Sequence, residues 1–169
     1  MKKQRTESEC LAAIQKDPYS FTSMSPEERT YNVTVAALKS KGVFLKFIPQ
    51  THEHYQDYCL VAVSSCGQII QDIPMARRTP EIYLAAIYNN PNIITSFAPQ
   101  ERTPAVCHAA VARDSYILQH LTPQERTADI CVTAILKEPA VIDFLNKEER
   151  AYVLPFVQAA QKSTEDNII

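Results

Sequence analysis

Glycine is nearly missing from this chain of 169 residues, which has two glycines against eleven prolines. That ratio argues against a β-sandwich with many tight glycine turns and suits short helices punctuated by proline. Net charge is also scarce, since 17 Lys and Arg face 19 Asp and Glu for a formal −2. No basic stripe of the kind that neutralises phosphates runs along the chain, so nucleic acid is not an expected partner. No apolar run nears the roughly 18 residues of a membrane span. Thr6-Glu7-Ser8-Glu9 stands where a secretory apolar region would follow the basic first residues. These absences make a membrane partner unexpected and point to the cytoplasm, with delivery into a host cell without a Sec signal as the second location.

Enzyme signatures are missing as well. There is no Gly-rich phosphate loop, no Gly-x-Ser-x-Gly elbow and no His-Glu-x-x-His, and the paired acids Glu27-Glu28 and Glu148-Glu149 fall in turns. No catalytic residue, cofactor site or metal site is assigned on that basis. A DNA-reading helix would need exposed polar side chains, whereas the segments that could play that part are chiefly apolar.

What the chain does have is a repeat. Ala13, Ala37, Ala62, Ala86, Ala110 and Ala134 fall 24, 25, 24, 24 and 24 residues apart, each followed by Ile, Leu or Val. Arg5, Arg29, Arg78, Arg102, Arg126 and Arg150 keep the same spacing, with Glu53 where one arginine is missing. A fixed period of this length is the mark of a repeat architecture.

One period shows the local fold. In Thr79-Pro80-Glu81-Ile82-Tyr83-Leu84-Ala85-Ala86-Ile87-Tyr88-Asn89-Asn90, Thr is the expected N-cap, Pro the first helical residue, and Glu81 complements the helix dipole. Pro18, Gly42, Gly67, Ser115, Pro91 and Pro139 share the slot that ends this helix. A second segment of about two turns follows, with Phe44-Leu45, Ile69-Ile70, Ile93-Ile94, Ile117-Leu118 and Val141-Ile142 aligned. Ser25-Pro26-Glu27-Glu28, Thr122-Pro123-Gln124-Glu125 and Asn146-Lys147-Glu148-Glu149 then read as capping boxes. The expected fold is all-α, an α-solenoid of about six 24-residue helix-turn-helix repeats over residues 1–151. Residues 152–169 are read as a capping helix that begins at Val153-Leu154-Pro155-Phe156-Val157, then a loose polar tail, Lys162 to Asn167.

Residues 37–45, Ala-Leu-Lys-Ser-Lys-Gly-Val-Phe-Leu, and 62–70, Ala-Val-Ser-Ser-Cys-Gly-Gln-Ile-Ile, resemble the bacterial tandem helical repeats catalogued as domain of unknown function 4116. The likeness covers residues 8 to 151. Three of the six periods here carry Pro where that family prefers Gly, and Asn90 alone supplies its Asn. The resemblance implies a bacterial protein, in some cases of a host-associated species, and brings no family-wide activity.

Cys10, Cys59, Cys107 and Cys131 occupy one slot three residues before the ladder alanine, which reads as core packing. Cys66 lies outside that slot, beside Gly67, and is the candidate reactive thiol. With no Cys-x-x-Cys pair, a reducing compartment is expected. His52-Glu53-His54 replaces the Glu-Arg-Thr connector of other periods, in a period one residue longer; two histidines are fewer ligands than zinc needs. His108 sits in an apolar helix slot and reads as a half-buried packing residue, and His120 as a groove residue. The connector arginines are expected to bond helix-ending carbonyls and to pair with Glu of their own turn.

The function read from these features is a non-enzymatic protein-protein interaction module that binds a protein or peptide segment. Its candidate partner-binding residues are His52, His54, Tyr55, Tyr88, Phe44, Phe47, Tyr19 and Tyr116, chiefly aromatics that break the repeat. The region from Pro49 to Cys59, where the ladder slips and the connector signature is lost, is the leading partner site. The competing class is a secreted effector enzyme or enzyme regulator acting in a host cell, with Cys66 or the His52/His54 segment as its reactive or metal site.

Overall fold

The computed structural model describes residues 4–166, with side-chain surroundings through Lys162. Among the described residues every regular element is helical. Seven α-helices follow in order: α1 (Glu7–Lys16), α2 (Tyr31–Ser40), α3 (Tyr55–Ser65), α4 (Pro80–Asn89), α5 (Pro104–Arg113), α6 (Ala128–Lys137) and α7 (Lys147–Asp166). Six-residue 3-10 segments follow α1 to α6, at Pro18–Ser23, Gly42–Phe47, Gly67–Asp72, Pro91–Ser96, Ser115–His120 and Pro139–Phe144. The expected second helix is therefore a pair of 3-10 turns, whose tighter winding fits two turns into six residues.

A threonine follows five of the six ladder arginines and stands just before the next helix; Arg150 is followed by Ala151. Thr6, Thr30, Thr103 and Thr127 accept from the backbone N–H three residues on, at 3.3 to 3.5 Å, and Thr79 holds the same place without a cap bond to that N–H. Each of α1 to α6 closes on one extended residue, Asp17, Lys41, Cys66, Asn90, Asp114 or Glu138. The N–H of that residue donates to the ladder alanine's carbonyl at 2.8 or 2.9 Å. No described residue has a positive φ, so glycine does not end these helices through a left-handed cap. Its reason is space: a Cβ at Gly42 would run into the carbonyl of Ala62, and one at Gly67 would lie 2.9 Å from the carbonyl of Ala86. The first turn of the 3-10 segment presses against the next helix at its ladder alanine.

The chain divides into two compact units, residues up to Asn90 and residues from Pro91 onward. In the first, α1 packs on α2, α2 on α3 and α3 on α4; in the second, α5 packs on α6 and α6 on α7. Ala37, Ala62, Ala86, Ala110 and Ala134 are fully buried, because only a methyl group fits where consecutive helices touch. The four slot cysteines are buried beside them. Burial pushes the thiols of Cys59, Cys107 and Cys131 up to about 11 and raises that of Cys10, so these groups stay protonated packing residues.

The C-terminal helix starts earlier than expected. Asn146 accepts from the N–H of Glu149 at 2.8 Å and so opens α7 at Lys147 rather than near Val153. Pro155 is inside the helix, with Val153 and Val157 buried on either side. The polar stretch from Lys162 is helical through Asp166, since no breaker follows Pro155, and Asn167 lies outside the described residues.

Candidate functional site

The connectors are held by a recurring ion pair whose arrangement differs from the sequence expectation. Each paired arginine reaches the glutamate 23 residues ahead, in the next connector, rather than the glutamate of its own turn. Arg5 donates to Glu28 from its backbone N, Nε and Nη2 at 3.0, 3.1 and 3.0 Å. Arg102 Nη1 meets Glu125 at 3.2 Å, and Arg126 Nη1 meets Glu149 at 3.2 Å. The same guanidinium closes the preceding 3-10 segment: Nε of Arg102 donates to Ile94 O and Nε of Arg126 to Leu118 O, both at 3.2 Å.

The carboxylate is tied on its far side too. Glu28 accepts from Ser25 N at 3.0 Å, Glu125 from Thr122 N at 2.8 Å and Glu149 from Asn146 N at 2.7 Å. Each acid therefore caps its own turn and pairs with the previous arginine. In Glu28 the Arg5 side chain, with these backbone donors, holds the carboxyl down to about 2. The Arg102–Glu125 and Arg126–Glu149 side chains are 12 to 16% exposed, which shields both pairs from solvent.

Arg29 has the same slot and lacks this partner. Position 52 is His where the acid would stand, and position 49 is Pro, which has no N–H to fix an acid. Arg29 keeps one bond each to Phe47 O and Thr22 O, both 3.4 Å long, and lies 4.9 Å over the ring of Phe21. Its Nε is buried without a hydrogen-bond partner. The corresponding Nε of Arg78 and Arg150 donates to Ile73 O at 2.8 Å and Leu145 O at 2.9 Å.

A cavity of about 290 Å³ opens beside this arginine. Arg29, Thr34, His52 and Tyr58 give it polar atoms, and Phe47, Ile48 and two prolines wall it. Tyr31 stacks on Tyr58 at 5.6 Å and meets His54 edge-on at 5.0 Å, while His52 lies 5.3 Å from Tyr58. His52 Nδ1 accepts from His54 N at 3.1 Å. His54 itself leans on Glu53 at 3.6 Å and Asp57 at 3.9 Å. Among the described residues no group of three or more His, Cys, Asp or Glu is placed to hold a metal ion.

The predicted partner residues separate into three groups. His52 and Phe47 line the cavity with His54 beside His52, and Tyr19, Tyr88 and Tyr116 are exposed elsewhere. Tyr19 packs edge-on against Phe44 beneath the Lys41 ammonium, Tyr88 lines a cleft with Leu84 and Ser64, and Tyr116 meets Phe144. Phe44 and Tyr55 are corrected: they are 1% and 3% exposed and belong to the core. Phe44 lies under Tyr19, Phe21 and Phe47 in the slot that Ile69, Ile93 and Ile117 fill elsewhere. The extra residue of this period turns Tyr55 inward as the first residue of α3, where burial pushes its hydroxyl up to about 12.

Cys66 caps the C-terminal end of α3 and His54 its N-terminal end, so roughly 16 Å of helix separates them. A nucleophile-base pair between them has no geometric basis. His108 Nε2 lies 3.2 Å from Thr133 Oγ1 and 3.3 Å from Asp129, as a half-buried bridge between α5 and α6. His120 lends its backbone carbonyl to Arg102. Sequence reading missed Arg29 and Thr34, and reached Tyr58 only as part of the Pro49 to Cys59 region. The signal for Arg29 was present, since it is the arginine whose position 23 residues ahead carries no acid.

Comparison with family models, with curated proteins and with solved structures returns no match.

Proposed function

We propose that this chain is a non-enzymatic interaction module, an α-solenoid of about six helix-turn-helix repeats that binds a protein or peptide segment. The supporting observation is the cavity at the altered connector. A repeat that staples connectors with an ion pair lacks the acid at His52 while keeping Arg29, and there the chain exposes aromatic and imidazole side chains around a partly apolar hollow. Slot likeness over residues 37–45 and 62–70 supports placing it with the bacterial tandem helical repeats. No described helix is long and apolar enough to cross a membrane, and action in the cytoplasm or in a host cell belongs to the same reading.

Affinity capture from bacterial and host lysates, followed by mass spectrometry, tests the proposal. A partner recovered by the native chain and lost with Phe47→Asp is expected, because Phe47 is 41% exposed at the cavity and tolerates a charge without core damage. Recovery of no reproducible partner, or equal recovery by the folded variant, would count against it.

A further inference from the structure

The altered connector carries a specific chemical demand. Where the staple is intact, the arginine faces a carboxylate that also accepts a backbone N–H. At Arg29 the acid and that N–H are lost together, through His52 and Pro49, while the arginine remains. Its Nε is buried and unpaired, and its two remaining bonds of 3.4 Å are beyond ordinary N–H···O lengths. A buried donor without an acceptor is costly, and this one belongs to a guanidinium that is otherwise half-exposed.

The cavity presents further donors and no competing acid. None of its lining side chains is acidic. His52 Nδ1 is engaged as an acceptor, which places the proton of the neutral ring on Nε2 and makes that atom a donor. Phe47 and Ile48 supply an apolar wall for methylene groups. A volume of about 290 Å³ is at the lower edge of small-molecule pockets and takes one long side chain.

Resting on the interaction reading above, we infer that this cavity takes a glutamate or aspartate side chain of the partner, whose carboxylate pairs with Arg29 in place of the missing internal acid. The partner segment completes in trans the staple that Glu28, Glu125 and Glu149 make within the chain. A single guanidinium with apolar walls suits a monovalent carboxylate better than a phosphate, which draws several cationic donors.

The test is a titration of the full chain with N-acetylglutamate α-amide, followed by the NMR signal of the Arg29 Nε–H. N-acetylglutamine amide and inorganic phosphate serve as parallel probes. A saturable shift with the glutamate probe, little with glutamine and weaker binding of phosphate are expected. His52→Glu restores an acid to the slot, so it should raise the melting temperature and weaken the probe about tenfold or more. Arg29→Gln, followed through the His52 ring signals because its own reporter is gone, should weaken the probe equally without that stabilisation. No saturable shift, tighter binding of phosphate, or unchanged affinity in a folded His52→Glu protein would overturn the inference. A captured partner lost with Phe47→Asp and kept with Arg29→Gln would remove the carboxylate and leave the interaction module standing. A partner kept by both variants would remove both.

Discussion

Arg126 and Arg29 occupy the same slot of the repeat and live in opposite circumstances. Arg126 meets Glu149, Leu118 O and Phe144 O, so its Nε and Nη1 both have acceptors. Arg29 keeps the equivalent of the Phe144 bond, to Phe47 O, and has neither the acid nor an acceptor for Nε. A repeated residue is thus structural only while its partner repeats with it. The largest effect should come from breaking the intact case. Arg126→Gln leaves the shielded Glu149 carboxylate without its cation and two carbonyls without a donor, and should cost about 3 kcal/mol in urea unfolding. A loss under about 1 kcal/mol would show that these pairs are replaceable surface contacts.

The second prediction uses pH. The Glu28 carboxyl is held down to about 2 by Arg5 and by backbone donors, against an ordinary value of 4.5. A folded-state value below the unfolded one stabilises fully above about 4.5, and that stabilisation is lost as pH falls toward 2. Melting temperature should therefore drop across that window, and Glu28→Gln should flatten the drop while lowering stability at neutral pH. The connector at His52, which faces Arg29, contributes no such step, because position 52 has no carboxyl. A native profile unchanged by Glu28→Gln would remove the linkage.

The repeat made much of the fold legible. The alanine ladder, the threonine caps and the four slot cysteines all followed from the 24-residue register, because each marks a place where helices touch or begin. The second segment was harder, since six apolar-rich residues suit an α or a 3-10 turn equally and hydrogen-bond pitch is not written in side-chain pattern. Treating aromatics as departures from the repeat served Tyr19, Phe47, Tyr88 and Tyr116, which are exposed, and failed for Phe44, whose slot neighbours are isoleucines. The ion pairs were misassigned for a simple reason: Glu28 and Arg29 are adjacent in sequence, whereas the partner of each arginine lies in the next period. Followed 23 residues ahead, the register itself distinguishes Arg29, which meets His52, from Arg5, Arg78, Arg102 and Arg126, which meet glutamates.

The smallest expected effect sharpens the contrast most. Arg29→Gln removes two long bonds and a contact with the Phe21 ring, and it also relieves a buried donor that has no acceptor. The losses amount to about 1 kcal/mol or less for the ring contact and a similar small sum for the stretched bonds, and the relieved donor offsets part of them. Net destabilisation should stay below about 1 kcal/mol, against about 3 for the same substitution at Arg126. Parallel urea titrations of the two variants measure that difference directly. Equal losses would mean that Arg29 is bound into the fold as firmly as its counterparts. A small loss at Arg29 would leave its charge with no sufficient structural reason to be there, and the reason must then lie in what the connector binds.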